Sequence, residues 1–123
     1  MSVAAFDTAA LSFGEKGSPF LSPRRVAELL GVTLTELAGL IGVARNTLAA
    51  RSGARKVDAA LSPVVRILAM AAEMSGDEQR AAIWFKHQPI PGWAGKTAYD
   101  LVGEGKAEKV LAYLESVRAG VYA

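Results

Sequence analysis

The chain contains no cysteine and a single histidine, which excludes disulfide bonds and thiolate metal sites. His87 alone cannot build a zinc site, because such a site takes three or four protein ligands. The sequence also lacks an uninterrupted apolar run of about eighteen residues, the length that a transmembrane helix requires. Its start has no basic segment of the kind that opens a secretory signal. We therefore expect a cytoplasmic protein without a bound metal and without a membrane partner.

A phosphate-binding loop and a catalytic site are also missing. Gly95-Lys96-Thr97 matches the end of a P-loop, but Ile90 occupies the position of its first glycine and no β-strand is predicted before it. Asp77 and Glu78 lie at a predicted helix start, where the helix dipole favours carboxylates, so they do not indicate an acid–base pair. No nucleophile with a base and an orienting group can be named. We predict a protein that is not an enzyme and has no cofactor.

Basic charge is concentrated in one segment of the chain. Residues 22–66 carry seven basic and three acidic side chains, a net charge of +4, whereas residues 1–21 and 67–123 each carry −1. A basic segment favours a polyanionic partner, although a solvated helix face would show the same pattern. The 123 residues, of which 51% are hydrophobic, suffice for one compact core or two small helical units.

Helix start and stop signals predict an all-α fold. Ser22-Pro23 begins the first helix, because serine caps free N–H groups and proline is tolerated in the first turn. Thr33 and Glu36 have the spacing of a capping box and begin a second helix, which Gly42 ends. A third, short helix is predicted at about 44–52.

Residues 34–52 have the layout of a helix-turn-helix. Ala38 is small where the two helices cross, and Gly42 falls where the turn requires a positive φ. The start of the third helix would then enter a major groove, and the basic residues after it would contact phosphates. A purely structural helical hairpin is the alternative. The predicted DNA-binding residues are Arg45, Asn46, Thr47, Arg51, Arg55 and Lys56.

A basic segment at 53–60 is interpreted as a linker between two units. Ser62-Pro63 repeats the start signal of the first helix, and Ser75-Gly76-Asp77 ends that helix and caps the next. Two further helices are predicted, one beginning at Thr97 and one covering about 106–119. The predicted domains are a flexible N-terminal arm at 1–21, a helix-turn-helix domain at 22–60 and a small helical domain at 61–123.

The stretch 84–103 holds both tryptophans, two of the five prolines and three of the twelve glycines. Rigid aromatic residues beside backbone breakers are typical of a surface loop that binds a protein. Trp93 is the better interface candidate, because Trp84 lies beside Phe85 on a helical face and favours the core. The apolar Val121-Tyr122 can be stabilised only by burial, on its own domain or on a partner.

Several short segments of the C-terminal half occur in a recognisable order and spacing. They are Ala82-Ile83-Trp84-Phe85, Pro89-Ile90-Pro91, the segment from Gly95 to Val102, the segment from Val110 to Leu114, and Gly120-Val121-Tyr122-Ala123. Over about residues 22–123 the chain resembles bacterial antitoxins of the Xre/MbcA/ParS type. These proteins join an Xre-like helix-turn-helix to a C-terminal toxin-binding domain and are paired with RES-domain toxins.

The resemblance implies that the partner is a RES-domain toxin, encoded by a neighbouring gene, which degrades NAD or transfers ADP-ribose from it. The antitoxin of this type II system would obstruct the NAD pocket. It would repress its own operon by binding operator DNA, as a homodimer within a hetero-oligomeric complex. The implied toxin-binding residues are Trp84, Trp93, Lys96, Tyr99, Arg118, Gly120, Val121, Tyr122 and Ala123.

Two residues depart from the helix-turn-helix pattern. Ala44 stands where a serine or threonine would cap the third helix, and Arg51 stands where an apolar residue is usual. These departures weigh against operator binding more than against toxin binding. The alternative function is a stand-alone helix-turn-helix transcription regulator whose C-terminal domain dimerises or senses a ligand.

Overall fold

The computed structural model describes residues 20–120, which contain seven α-helices and one 3-10 turn. The helices are α1 (Pro23–Leu30), α2 (Leu34–Ile41), α3 (Arg45–Ala49), α4 (Ala54–Ser75), α5 (Glu78–His87), α6 (Ala98–Gly103) and α7 (Ala107–Arg118), with the 3-10 turn Arg51–Gly53 between α3 and α4. An isolated antiparallel β-bridge joins Pro89 and Thr97. The predicted all-α class is confirmed. Most of the predicted arm, together with Val121, Tyr122 and Ala123, lies outside the described residues.

The first two helices begin where their capping signals predict. The Ser22 hydroxyl accepts a hydrogen bond from the Arg25 backbone N–H at 3.3 Å. Thr33 and Glu36 form the reciprocal capping box, with bonds of 3.0 and 2.8 Å. Gly42 ends α2 with a φ of 76°, the left-handed conformation that a residue with a side chain rarely adopts.

The predicted linker at 53–60 is wrong. Residues Ala54–Ser75 form one continuous helix of 22 residues, so Ser62-Pro63 lies inside α4 and does not begin it. A domain boundary between residues 60 and 61 would therefore fall within a helix. The linker residues Arg55 and Lys56 lie in the first turn of α4 instead.

The apolar pattern explains why the helix continues through Pro63. Val57, Leu61 and Val64 are spaced by four and three residues, and all three are buried. Continuing the helix buries this face, which offsets the penalty of about 3 kcal/mol for an internal proline. The bond that Pro63 cannot donate would go to Ala59, an exposed residue, where water can satisfy the carbonyl.

The third helix is shorter than predicted. α3 spans five residues, and Ala50 then adopts extended backbone with a ψ of 136°. Ala44 supplies no side-chain cap to α3, as its apolar side chain predicts. The chain passes through the 3-10 turn directly into α4.

The N-terminal and C-terminal helices share one hydrophobic core. The long helix α4 packs against α5 and α7, while α5 contacts α1 and α6 contacts α2. Phe85, Leu37 and Leu61 are among the largest fully buried side chains of a single cluster that contains residues from both halves. The helix-turn-helix therefore does not stand apart from the helices that follow it.

Candidate binding surfaces

All four predicted DNA-binding cations are exposed, at the start of α3, in the 3-10 turn and in the first turn of α4. We define the basic corner as Arg45, Arg51, Arg55 and Lys56. No ion pair joins any of them to another residue within 20–120. The first turn of α4 has no side-chain cap and no acidic residue. Cations and a helix N-terminus together attract phosphate, because the backbone N–H groups and the helix dipole add to the side-chain charge.

The turn of the basic corner depends on a close approach between Thr47 and Gly53. A Cβ atom on Gly53 would lie 2.5 Å from the carbonyl oxygen of Thr47 and 2.7 Å from its Cγ2 methyl. Thr47 is half-buried, whereas Asn46 and the four cations are exposed. Thr47 is therefore the least accessible of the predicted DNA-binding residues, and its methyl group packs against the turn.

Trp93 lies in a loop that backbone hydrogen bonds hold closed. We define the Trp93 loop as residues 89–97. Within it the Ile90 N–H donates to the Lys96 carbonyl at 2.8 Å, the Lys96 N–H donates to the Trp93 carbonyl at 3.0 Å, and the Trp93 N–H donates to the Ile90 carbonyl at 3.2 Å. Ile90 anchors the loop in the core, with only 2% of its surface exposed. The loop therefore has a fixed backbone and an apolar anchor.

The tip of this loop is strained. Ala94 has a φ of 54°, and it is the only residue other than glycine within 20–120 with a positive φ. This conformation costs an L-residue about 1 kcal/mol. Ala94 is exposed, so buried packing does not compensate for the strain. Backbone strain of this kind clusters at binding sites.

Two lysines and a glutamate form an ion-pair network beside Trp93. The Lys96 Nζ atom lies 2.8 and 3.0 Å from the two carboxylate oxygens of Glu104, and the Lys106 Nζ atom lies 3.3 Å from one of them. Lys106 Nζ is also 5.5 Å from the centroid of the Trp93 ring, within cation–π range. Hydrogen bonds from Lys96 and then Lys106 lower the pKa of Glu104. The Glu104 carboxylate therefore joins the end of the loop to the residue that covers its tryptophan.

Glu104 and Lys106 are not among the site residues predicted from the sequence. Glu104 follows Lys96 by eight positions, and a spacing of that size indicates proximity only when the intervening turn and helix are known. The sole local signal is the opposite charge of Glu104 and Lys106. Such pairs occur on many solvated surfaces and do not single out a site.

Tyr99 and Trp84 lie at the edge of the core. Both are half-buried and pack against the hydrophobic cluster. The Tyr99 and Phe85 rings meet edge to face, with centroids 6.1 Å apart and an interplanar angle of 84°. Burial, and then the nearby charge of Glu36, raise the pKa of Tyr99. Since Glu36 belongs to α2, Tyr99 lies where α6 meets the helix-turn-helix.

Arg118 links the last helix to α4. Its Nη1 atom lies 3.9 Å from the Glu73 carboxylate, and its Nη2 atom donates to Glu115. The Arg118 side chain is 28% exposed, and Nη1 is buried without a hydrogen-bond partner. Gly120 follows, exposed, with a φ of 82°. The structure thus brings Trp93 and Lys96 together in one loop, and it places Arg118 in a contact between α7 and α4.

Two features are absent from residues 20–120: a cluster of metal-binding side chains and a membrane-spanning helix. This part of the chain holds no group of three or more histidine, aspartate or glutamate side chains that could bind a metal ion. None of its helices is both long and apolar enough to span a bilayer.

The fold defines the class of helix-turn-helix proteins that carry an appended helical domain. Two family models match the chain: the antitoxin Xre-like helix-turn-helix domain over residues 9–66, and the antitoxin Xre/MbcA/ParS C-terminal toxin-binding domain over residues 70–120. The chain belongs to the Xre/MbcA/ParS-type antitoxins, as its sequence motifs predict. Comparison with curated proteins and with solved structures gave no significant match. The residues between the two matched segments lie inside α4.

Proposed function

We propose that this chain is the antitoxin of a type II toxin–antitoxin system and neutralises a RES-domain toxin encoded by a neighbouring gene. The observation that carries the proposal is the match of residues 70–120 to a toxin-binding domain. The exposed, closed Trp93 loop lies within that segment and supports the assignment. The toxin consumes NAD or transfers ADP-ribose from it, and the bound antitoxin obstructs its NAD pocket.

The Trp93 loop suits this role because its shape is fixed before binding. Ordering a loop on association opposes binding, and a loop closed by its own hydrogen bonds avoids much of this penalty. Trp93 is half-buried against the hydrophobic cluster, and tryptophan is among the residues that contribute most to interface affinity. Lys96 supplies a charge at the same loop. The chain acts by binding in the cytoplasm, and no catalytic step is assigned to it.

The same chain represses its own operon. Arg45 and Asn46, at the exposed start of α3, would contact base edges, with arginine pairing to guanine and asparagine to adenine. Arg51, Arg55 and Lys56 would bind phosphates. Operator binding takes place as a homodimer within the complex with the toxin, since helix-turn-helix dimers bind paired half-sites.

Co-expression with the neighbouring gene tests the proposal. Cells that express the toxin alone should lose NAD or acquire ADP-ribosylated protein, whereas cells that also express this chain should grow and yield a stoichiometric complex. Removal of residues 121–123 should weaken neutralisation while the melting temperature stays unchanged, because the contact of Arg118 with Glu73 is retained. Full neutralisation by the shortened chain would exclude the tail from the inhibitory contact.

A second experiment separates the two activities. Replacing Arg45 and Asn46 together with alanine should weaken operator binding and leave neutralisation intact. Loss of neutralisation in this variant would contradict the proposed division of labour. A chain that purifies with specific DNA, and that shows no affinity for the neighbouring protein, would instead be the stand-alone regulator.

A further inference from the structure

We propose that Glu104 is a positioning residue that holds the Trp93 loop in its toxin-binding conformation. This inference rests on the proposed function, because it takes the loop to be a toxin contact. Glu104 itself lies outside the loop, beyond the C-terminal end of α6.

The contacts around Glu104 form a closed ring. The backbone N–H of Lys96 donates to the carbonyl of Trp93 at 3.0 Å. The Lys96 ammonium group then contacts Glu104 at 2.8 Å, and Glu104 contacts Lys106 at 3.3 Å. The Lys106 Nζ atom lies 5.5 Å from the centroid of the Trp93 indole, and this contact closes the ring of interactions. The ring thus constrains both the backbone and the side chain of the tryptophan.

Glu104 is the member whose loss opens this ring at two points. Lys96 Nζ contacts both of its carboxylate oxygens, at 2.8 and 3.0 Å, and Lys106 Nζ shares one of them at 3.3 Å. A neutral side chain carries no charge and so retains neither ion pair. Without the carboxylate, the two ammonium groups would repel each other. Lys106 would then lose the contact that directs it over Trp93, and the indole would gain rotational freedom.

The effect of Glu104 should fall on the loop more than on the fold. The side chains of Lys96, Glu104 and Lys106 are between 36% and 44% exposed, and ion pairs this accessible contribute little to global stability. The core contacts of Ile90 and Leu101 remain when Glu104 is replaced. A change in loop order without a change in melting temperature is therefore the expected signature.

The first arm of the test examines the free protein in a Trp84→Phe background, which leaves Trp93 as the only tryptophan. The variant Glu104→Gln is compared with Glu108→Gln, an exposed glutamate that forms no ion pair with another described residue. Glu104→Gln should shift the indole N–H resonance and speed hydrogen exchange at the Ile90 and Lys96 amides several-fold. Glu108→Gln should leave both unchanged, and Glu104→Asp, which keeps the charge, should restore part of the order.

The second arm measures binding to a catalytically inactive form of the RES-domain protein encoded by the neighbouring gene. Glu104→Gln should raise the dissociation constant about five- to tenfold, since the loop must then be ordered on binding. In high salt the affinity of the unmodified chain should approach that of the variant, because salt screens the same two ion pairs. Glu108→Gln should bind like the unmodified chain.

The two arms separate the possible failures. If affinity falls while the loop signals stay unchanged, Glu104 contacts the toxin directly and the positioning role is overturned. Changed loop signals with unchanged affinity would also overturn it. If the unmodified chain does not bind the RES-domain protein, the proposed function fails, and the loop signals alone decide whether Glu104 orders the loop. Should Glu104→Gln fail to fold, Glu104→Asp is compared in both arms.

Discussion

The basic corner and the region of the Trp93 loop both carry accessible cations, but only the cations near the loop form ion pairs. In the basic corner, no cation forms an ion pair with another residue of 20–120. In the loop region, Lys96 and Lys106 share the carboxylate of Glu104. Unpaired cations remain available for phosphates, whereas paired cations fix the shape of the surface that carries them. Residue type alone therefore does not reveal what a surface lysine or arginine does.

The largest effect is expected from removing the apolar anchor of the loop. Ile90→Ala should lower the free energy of unfolding by about 2–5 kcal/mol, because it leaves a cavity at a fully buried position. Denaturant unfolding measures this loss. Ile83→Ala is the matched control, since Ile83 is 61% exposed and should change stability little. Equal losses in the two variants would show that the loop is not anchored as described.

A smaller effect is expected when the basic corner is deformed without a change in charge. Gly53→Ala places a methyl group against the Thr47 backbone, and the resulting overpacking should cost about 1–3 kcal/mol of stability. Operator affinity should fall because α3 and the start of α4 move apart. Gly39→Ala is the control, since its added Cβ meets no atom within 4 Å beyond its chain neighbours and the backbone of its own helix. That variant should retain operator affinity and gain about 0.5–1 kcal/mol, because Gly39 lies inside α2.

The salt dependence of operator binding tests the unpaired cations directly. If Arg55 and Lys56 each contact a phosphate, replacing both with glutamine should reduce the slope of log affinity against log salt by about 2. The effect should be similar for specific and nonspecific DNA. Lys109→Gln removes an exposed cation of α7 and should leave the slope unchanged. An unaltered slope in the double variant would remove these two residues from the DNA contact.

The smallest effect is expected at the Trp93 loop when the pH is lowered. The two lysines lower the pKa of Glu104 below its ordinary value of 4.5. The carboxylate therefore keeps both ion pairs, and its full contribution to the order of the loop, above pH 4.5. This contribution is lost as the pH falls through the lowered pKa. Trp93 fluorescence in a Trp84→Phe background should therefore stay constant from pH 8 to about 5 and change in more acidic solution. Glu104→Gln should remove this step.

Most signals that act within four residues were read correctly from the sequence. The capping box of Thr33 and Glu36 is present, and so is the equivalent pair Thr97 and Asp100. Asp77 caps α5 by accepting a hydrogen bond from the Arg80 N–H at 2.7 Å. These contacts are determined by spacing along the chain, so the fold class and most helix starts could be predicted.

The wrong and missing predictions concern features that depend on contacts between residues far apart in the sequence. Ser62-Pro63 has the local pattern of a helix start, but burial of Val57 and Leu61 keeps α4 continuous through it. The closed ring through Glu104 joins residues that only the folded loop and α6 bring together. The loop sequence therefore predicted Trp93 as a site residue and the family resemblance implied Lys96, but neither indicated the carboxylate of Glu104 that pairs with Lys96 and Lys106.

The shared core has a consequence for the degradation of the protein. Helices α5 and α6 pack on α1 and α2, so the surfaces proposed for toxin and for DNA belong to one cooperative structure. Unfolding should follow a single transition, as in other small domains with one core. A protease that captures the unfolded chain would remove both surfaces in one event. Neutralisation and repression would then end together, and the operon would be transcribed at the moment when the cell most needs new antitoxin.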